Sequence, residues 1–204
     1  LSFGLFLWTA GDPGKPGELP SLIKIVKERY PDDCQHYWGQ FGLDVAAANN
    51  KTVWFSYRGK KLTSATDKAM LREHIWAYRF VRAGADIEVQ AAQILHAINR
   101  IHQFYAVKSS KLDGYALVDL ITSEYGVALL LDNHVNRPGY IRGCVAAALE
   151  RSNLTAAEMA RGGDEEEQLL IKNYLDSRQT YGKHPMTDAR QRAAVTRGYV
   201  VDGI

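Results

Sequence analysis

No stretch of this sequence approaches the ~20 consecutive apolar residues that a membrane-spanning helix needs. An excess of one charge is missing too. Lys and Arg number 25 against 23 Asp and Glu, a net charge of +2, and the two signs are interleaved along the chain. That balance lacks the basic face that binding to nucleic-acid phosphates requires. Only two cysteines occur, Cys34 and Cys144, without metal-ligand spacing. Two buried free thiols are the expected state, and a single bridge between them is the alternative.

Other absences narrow the chemistry. No Cys/His quartet marks a zinc site. His96 and His102 are six residues apart, on different faces of a helix, and cannot chelate one ion together. His134 reads as a satisfied interior histidine rather than a ligand or base. The glycines near residue 14 alternate with prolines and lack the Lys-Ser/Thr of a phosphate-cradling loop. No serine sits in a nucleophile elbow. Neither a metal nor a cofactor is implied. The opening run Leu1–Trp8 is apolar, but it has no basic flank and no small-residue cleavage site, so it is not a signal peptide. It reads as the interior of a domain. There is no internal repeat.

What is present is an ordinary globular composition, 46% hydrophobic and 24% charged over 204 residues. Such a chain makes one large domain or two small lobes sharing a cleft. Residues 1–9 read as a buried strand, and Gly11–Gly17 as a loop. Glu18-Leu19-Pro20 opens a helix that runs to Tyr30, where Pro31 stops it. Short helical pieces are expected over Asp32–Asn50. A small hairpin is expected from Thr52–Tyr57 and Lys60–Thr63 around Arg58-Gly59.

From Ser64 onward the pattern is almost wholly helical. Ser64 caps a segment carrying Met70, Leu71, Ile75, Tyr78 and Val81, closed by Gly84. Asp86 caps the next, which reaches about Val107, and Lys108–Asp113 is a loop. Thr122 starts an unusually apolar helix, Tyr125–Val135, ended by Pro138-Gly139. Further helices are expected at Ile141–Arg151, after the capping-box spacing Thr155–Glu158, at Asp164–Tyr181, and from Thr187.

Two polar features stand out against this background. Asp132-Asn133-His134 interrupts the most apolar helix, with Asn136-Arg137 just beyond. A carboxylate in such a setting needs a cationic partner or several hydrogen bonds. Arg178, Arg190 and Arg192 are the candidates. The outcome is either a buried pair that fixes helix packing or a charge network behind an active site. Glu18, after a Gly/Pro loop and at a helix start, complements the helix dipole. It becomes a ligand contact if the loop lines a cleft.

The order of these features resembles the lysozyme superfamily, particularly the chitosanase-like branch, glycoside hydrolase family 46, and related peptidoglycan hydrolases. Leu1-Ser2-Phe3-Gly4, the apolar run to Trp8-Thr9, and Gly17-Glu18-Leu19 entering a helix resemble that family's β-region and its exit. Ala85–Gln93 resembles the start of its central helix. Leu131–Gly139 is similar to its Asp-to-Asn-to-Gly stretch, and Tyr174–Arg178 with Arg190 and Arg192 to its C-terminal arginines.

The resemblance implies a mainly α, lysozyme-like α+β fold: a helical bundle with a small N-terminal β-element and two lobes around a cleft. The smaller lobe would be 1–63 and the helical lobe 64–204 of a single domain. The implied activity is cleavage of a β-1,4-linked amino-sugar polysaccharide, peptidoglycan or chitosan, by a carboxylate acid and base. The alternative is a non-catalytic binding or structural protein of the same fold. The resemblance places the acid and base in a segment ahead of Leu1. It makes Ser2 a helper that positions the attacking water, and Glu18, Asp12 and Trp8 substrate contacts. Asp132, Asn136, Arg178, Arg190 and Arg192 become a supporting network. Leu7 departs from the family, where a glutamine is common. The implied partner is the polysaccharide, and the implied location secreted or cell-wall-directed. The net charge of +2 favours the anionic wall over polycationic chitosan.

Overall fold

A computed structural model describes residues 1–49 and 52–200 of the chain. It is mainly helical, with two small antiparallel sheets. The end of the 32–50 segment and the last four residues of the final segment lie outside the described residues. The chain divides into two compact units, Leu1–Arg100 and Ile101–Ile204, each with its own core.

The first unit opens with a hairpin rather than the single buried strand expected for residues 1–9. Strands β1 (Ser2–Phe3) and β2 (Trp8–Thr9) pair with Phe3 opposite Trp8, and the Leu7 amide donates to the Gly4 carbonyl across the turn. Phe3 and Trp8 are buried, whereas Leu5 and Leu7 sit exposed in the turn. Apolar character alone could not show that turn. It rests on positive φ at Gly4 and at Leu7.

The following loop closes on itself at Gly11 and Gly17. A Cβ at Gly11 would lie 2.4 Å from the Gly17 nitrogen, and one at Gly17 would lie 2.3 Å from the Thr9 carbonyl oxygen. Helix α1 (Leu19–Arg29) then packs Leu19, Leu22, Ile23 and Val26 into the core. Pro31 both ends α1 and starts α2 (Pro31–Tyr37), since its missing amide is harmless at a first turn.

Short helical pieces fill only the start of the 32–50 segment, as α2 and a 3₁₀ turn at Gly39–Phe41. The remainder is strand β3 (Leu43–Asn49), not helix. It pairs with β4 (Thr52–Tyr57), which is buried on both faces and cannot leave its backbone groups unpaired. That demand overrides the weak strand preference of Ala46 and Ala47. Arg58 and Gly59 both take positive φ and turn β4 into β5 (Lys60–Lys61), the two-residue hairpin geometry that suits right-handed strand twist.

Ser64 caps α3 (Ala65–Ala69) in a capping box with Asp67. The expected single segment then breaks at Glu73, and α4 (His74–Gly84) follows. Its buried side is Trp76, Phe80 and Ala83, while Ile75, Tyr78 and Val81 face outward. Two apolar stripes compete on this helix, and the one with the larger aromatic rings takes the core because it buries more area.

Helix α5 (Ile87–Tyr105) starts with Asp86 accepting from the Glu88 amide and crosses the boundary between units. In the second unit, Ser123 rather than Thr122 caps α6 (Glu124–Asn136). After a 3₁₀ turn at Pro138–Tyr140 come α7 (Ile141–Ser152), α8 (Ala156–Met159), α9 (Asp164–Thr180) and α10 (Ala189–Arg197). Thr155 and Glu158 form the capping box that starts α8. Leu129, Leu130, Val145, Ala148 and Leu170 are fully buried between α6, α7 and α9. Among the described residues no helix is long and apolar enough to cross a membrane.

Candidate functional site

In the second unit, one carboxylate ties three helices together. Asp132 of α6 accepts from Arg178 Nη2 of α9 at 2.6 Å and from Arg192 Nε of α10 at 3.1 Å. Arg192 Nη2 completes a two-pronged contact with the other Asp132 oxygen. Asn136, one turn along α6, donates to the Asp132 carbonyl at 2.8 Å and to its side chain at 3.2 Å. The Arg178 side chain is fully buried, and Asp132 keeps 18% of its side-chain exposure. Burial alone would raise the Asp132 pKa, but hydrogen bonds from Arg192 and Arg178 outweigh it and hold the carboxyl below its ordinary value. Next to it, Asn133 donates to the Tyr174 hydroxyl at 2.8 Å, and burial pushes the Tyr174 pKa up.

The structure thus brings Asp132, Asn136, Arg178 and Arg192 together. Arg190 points elsewhere and pairs with Asp176 at the surface. A pocket of about 450 Å³ opens beside the network, lined by Asp132, Asp188, Arg192 and neighbouring residues of α10. A carboxylate held by two guanidinium groups stays ionised, so Asp132 is neither a proton donor nor a free nucleophile.

In the first unit, Ser2, Asp12 and Glu18 are all exposed. Thr9 links two of them: it pairs with Ser2 in the hairpin, and its carbonyl accepts from the Glu18 amide at 3.1 Å. The Glu18 side chain makes no cap hydrogen bond to α1. It forms an ion pair with Arg100, which is 10% exposed, while Glu18 itself is 52% exposed. Trp8 departs from its implied role. At 2% exposure, packed between Phe6 and His96 with ring centroids 5.4 and 5.0 Å away, its ring offers no face to a sugar. Burial first, and then Arg100, pushes the His96 pKa down to about 4, so the imidazole is neutral near pH 7.

Sequence reasoning missed two anchoring residues. Lys68 of α3 donates from one ammonium to four backbone carbonyls of the Gly/Pro loop: Ala10 at 2.8 Å, Gly11 at 3.1 Å, Asp12 at 2.9 Å and Lys15 at 2.5 Å. It sets the loop that carries Asp12. Burial lowers its pKa. Glu167 of α9, 4% exposed, accepts from the amides and hydroxyls of both Thr122 and Ser123, and so fixes the start of α6. The signal for Glu167 was faint, since it is one acid in a run of four that complements the helix dipole. Lys68 gave none, because its acceptors are backbone atoms.

Both thiols are free and buried. Burial pushes Cys34 up to about 11, with Asp44 adding to the effect, and burial also raises Cys144. His134 stacks on Phe104 with centroids 4.2 Å apart. Among the described residues, Asp33, Asp86 and Glu88 are the acids close enough to share a cation. Asp86 is already engaged by the Tyr37 hydroxyl at 2.9 Å and the Glu88 amide at 3.0 Å, which makes it a structural cap. Comparison with protein-family models, curated proteins and solved structures finds no significant match.

Proposed function

We propose that this chain is a lysozyme-like, chitosanase-like glycoside hydrolase domain acting on a β-1,4-linked amino-sugar polysaccharide, peptidoglycan or chitosan. A two-lobed form around a cleft and a secreted or wall-directed location belong to the same proposal. The observation that supports it best is the exposed strand-loop-helix surface of Ser2, Asp12 and Glu18, held in place by Arg100 and Lys68. Half-exposed carboxylates and hydroxyls on a rigid backbone suit sugar hydroxyls and glucosamine ammonium groups. In this reading Glu18 binds substrate and does not transfer protons, and the Asp132 network holds the helices of the second unit together. Acid–base hydrolysis needs one carboxyl held protonated and one ionised. The resemblance assigns neither role to a described residue.

A second reading, a non-catalytic binding protein of the same fold, is favoured by one observation. Among the described residues the carboxyls whose pKa is clearly displaced, Asp67, Asp86, Asp132, Glu158 and Glu166, are all displaced downward, opposite to the need of a general acid. Incubation with chitosan and with purified peptidoglycan separates the two readings. Release of reducing ends supports the hydrolase, and retention on the polymer without release supports the binding protein. Neither retention nor release overturns both. If release occurs, Glu18→Gln is expected to raise KM and leave kcat within about tenfold, because it removes binding made equally in ground and transition states.

A further inference from the structure

The two faces of α10 border pockets of opposite character. The one beside Asp132 is lined by two carboxylates and by Arg192, whose charge is already engaged. The other, about 320 Å³, carries Lys172, Arg190 and Arg197 and no carboxylate. Asp176 neutralises Arg190. Lys172 and Arg197 have no acidic partner among the described residues, so two positive charges face this space uncompensated.

The pocket is built as well as charged. Tyr125, Ile171 and Leu175 line it, each under 9% exposed. The Tyr125 hydroxyl bonds to the Ala193 carbonyl at 3.4 Å, which seats the ring against α10. Arg197 lies over that ring, 4.0 Å from its centroid, so the ring holds the guanidinium at the pocket it lines. Gln168 adds an amide.

We propose that this pocket binds an oxyanion, carboxylate or phosphate, carried on a body about the size of one sugar ring. Guanidinium and ammonium groups supply charge-assisted hydrogen bonds to the oxyanion, and the apolar lining covers one face of the ring. The volume lies at the small end of the range for ligand sites, which fits a single ring and not a chain. The inference goes beyond the proposed hydrolase and holds whether or not the chain cleaves a glycan.

Titration calorimetry of the whole chain tests it with three compounds sharing one ring: N-acetylmuramic acid, N-acetylglucosamine 6-phosphate and neutral N-acetylglucosamine. At least one acidic compound is expected to bind about tenfold or more tighter than the neutral one, and the tighter acid identifies the oxyanion. Lys172→Ala with Arg197→Ala is expected to weaken that acid by about tenfold or more. Both side chains are exposed, so the helical circular dichroism should persist; Lys172→Gln alone provides a milder second variant with the same direction of effect. Arg161→Ala, an exposed cation away from the pocket, is expected to change nothing. Equal affinity for the neutral sugar, an unaffected double variant, an equal loss in Arg161→Ala, or no acid binding at millimolar concentration would each overturn the proposal.

Discussion

One buried cation in each unit is satisfied by different means. In the first, the Lys68 ammonium is solvated by four neutral carbonyls of one loop. In the second, the buried Arg178 guanidinium meets a carboxylate on another helix, and that carboxylate is shared with Arg192. A carbonyl cradle orders a loop without adding a countercharge, so the cation's pKa falls with burial. A carboxylate partner joins separate helices and holds its own charge through neighbouring cations. Removing one partner therefore has different consequences in the two units.

The largest effect is expected where a bare charge is left behind. Asp132→Ala strands a fully buried Arg178 and is expected to cost ~3–5 kcal/mol in urea unfolding. An unchanged midpoint would erase the contrast between the units. The Asp132 pKa is lower folded than unfolded, so its contribution is complete above about pH 4 and is lost as pH falls through the lowered value. Glu167→Ala leaves the Thr122 and Ser123 donors without their acceptor, at an expected ~2–3 kcal/mol.

Lys68→Met comes next, at ~1–3 kcal/mol, because two of the freed carbonyls belong to the exposed residues Asp12 and Lys15 and can recruit water. Its signature is local: faster proteolysis within 11–17 with the helices intact. Cleavage no faster than in the parent chain would show that the cradle does not order the loop. His96 sharpens the comparison by pH. Its folded pKa of about 4 lies below the unfolded value near 6.5, so the unfolded state binds the extra proton and stability falls as pH drops through that window. NMR titration of the imidazole near pH 6.5 would contradict its packing against Trp8. Arg190→Ala is expected to change stability by less than ~0.5 kcal/mol, since its pair with Asp176 is at the surface.

Legibility followed the same division. Asp132 announced itself because a charge within an apolar helix demands a partner, and the three arginines were readable as candidates. Which two would meet it was not readable, because Arg190 and Arg192 differ only in the face of α10 they occupy. Lys68 was invisible for the opposite reason: backbone acceptors carry no residue identity. Trp8, Ser2 and Glu18 look alike in a motif, yet the hairpin buries Trp8 and leaves Ser2 exposed, while Glu18 is exposed at the start of α1.

Local punctuation was written in the residues themselves. Pro31 had to end one helix, Arg58-Gly59 had to turn a hairpin, and Thr155 with Glu158 had to cap α8, since each effect acts within a few residues through sterics or a short hydrogen bond. Tertiary structure decided the rest. Strand β3 exists because the doubly buried β4 needs a partner for its backbone groups. The outward face of α4 was settled by Trp76 and Phe80 outcompeting Ile75 and Tyr78 for the core. Those outcomes depend on area and hydrogen bonds shared with residues distant in sequence, which no local pattern records.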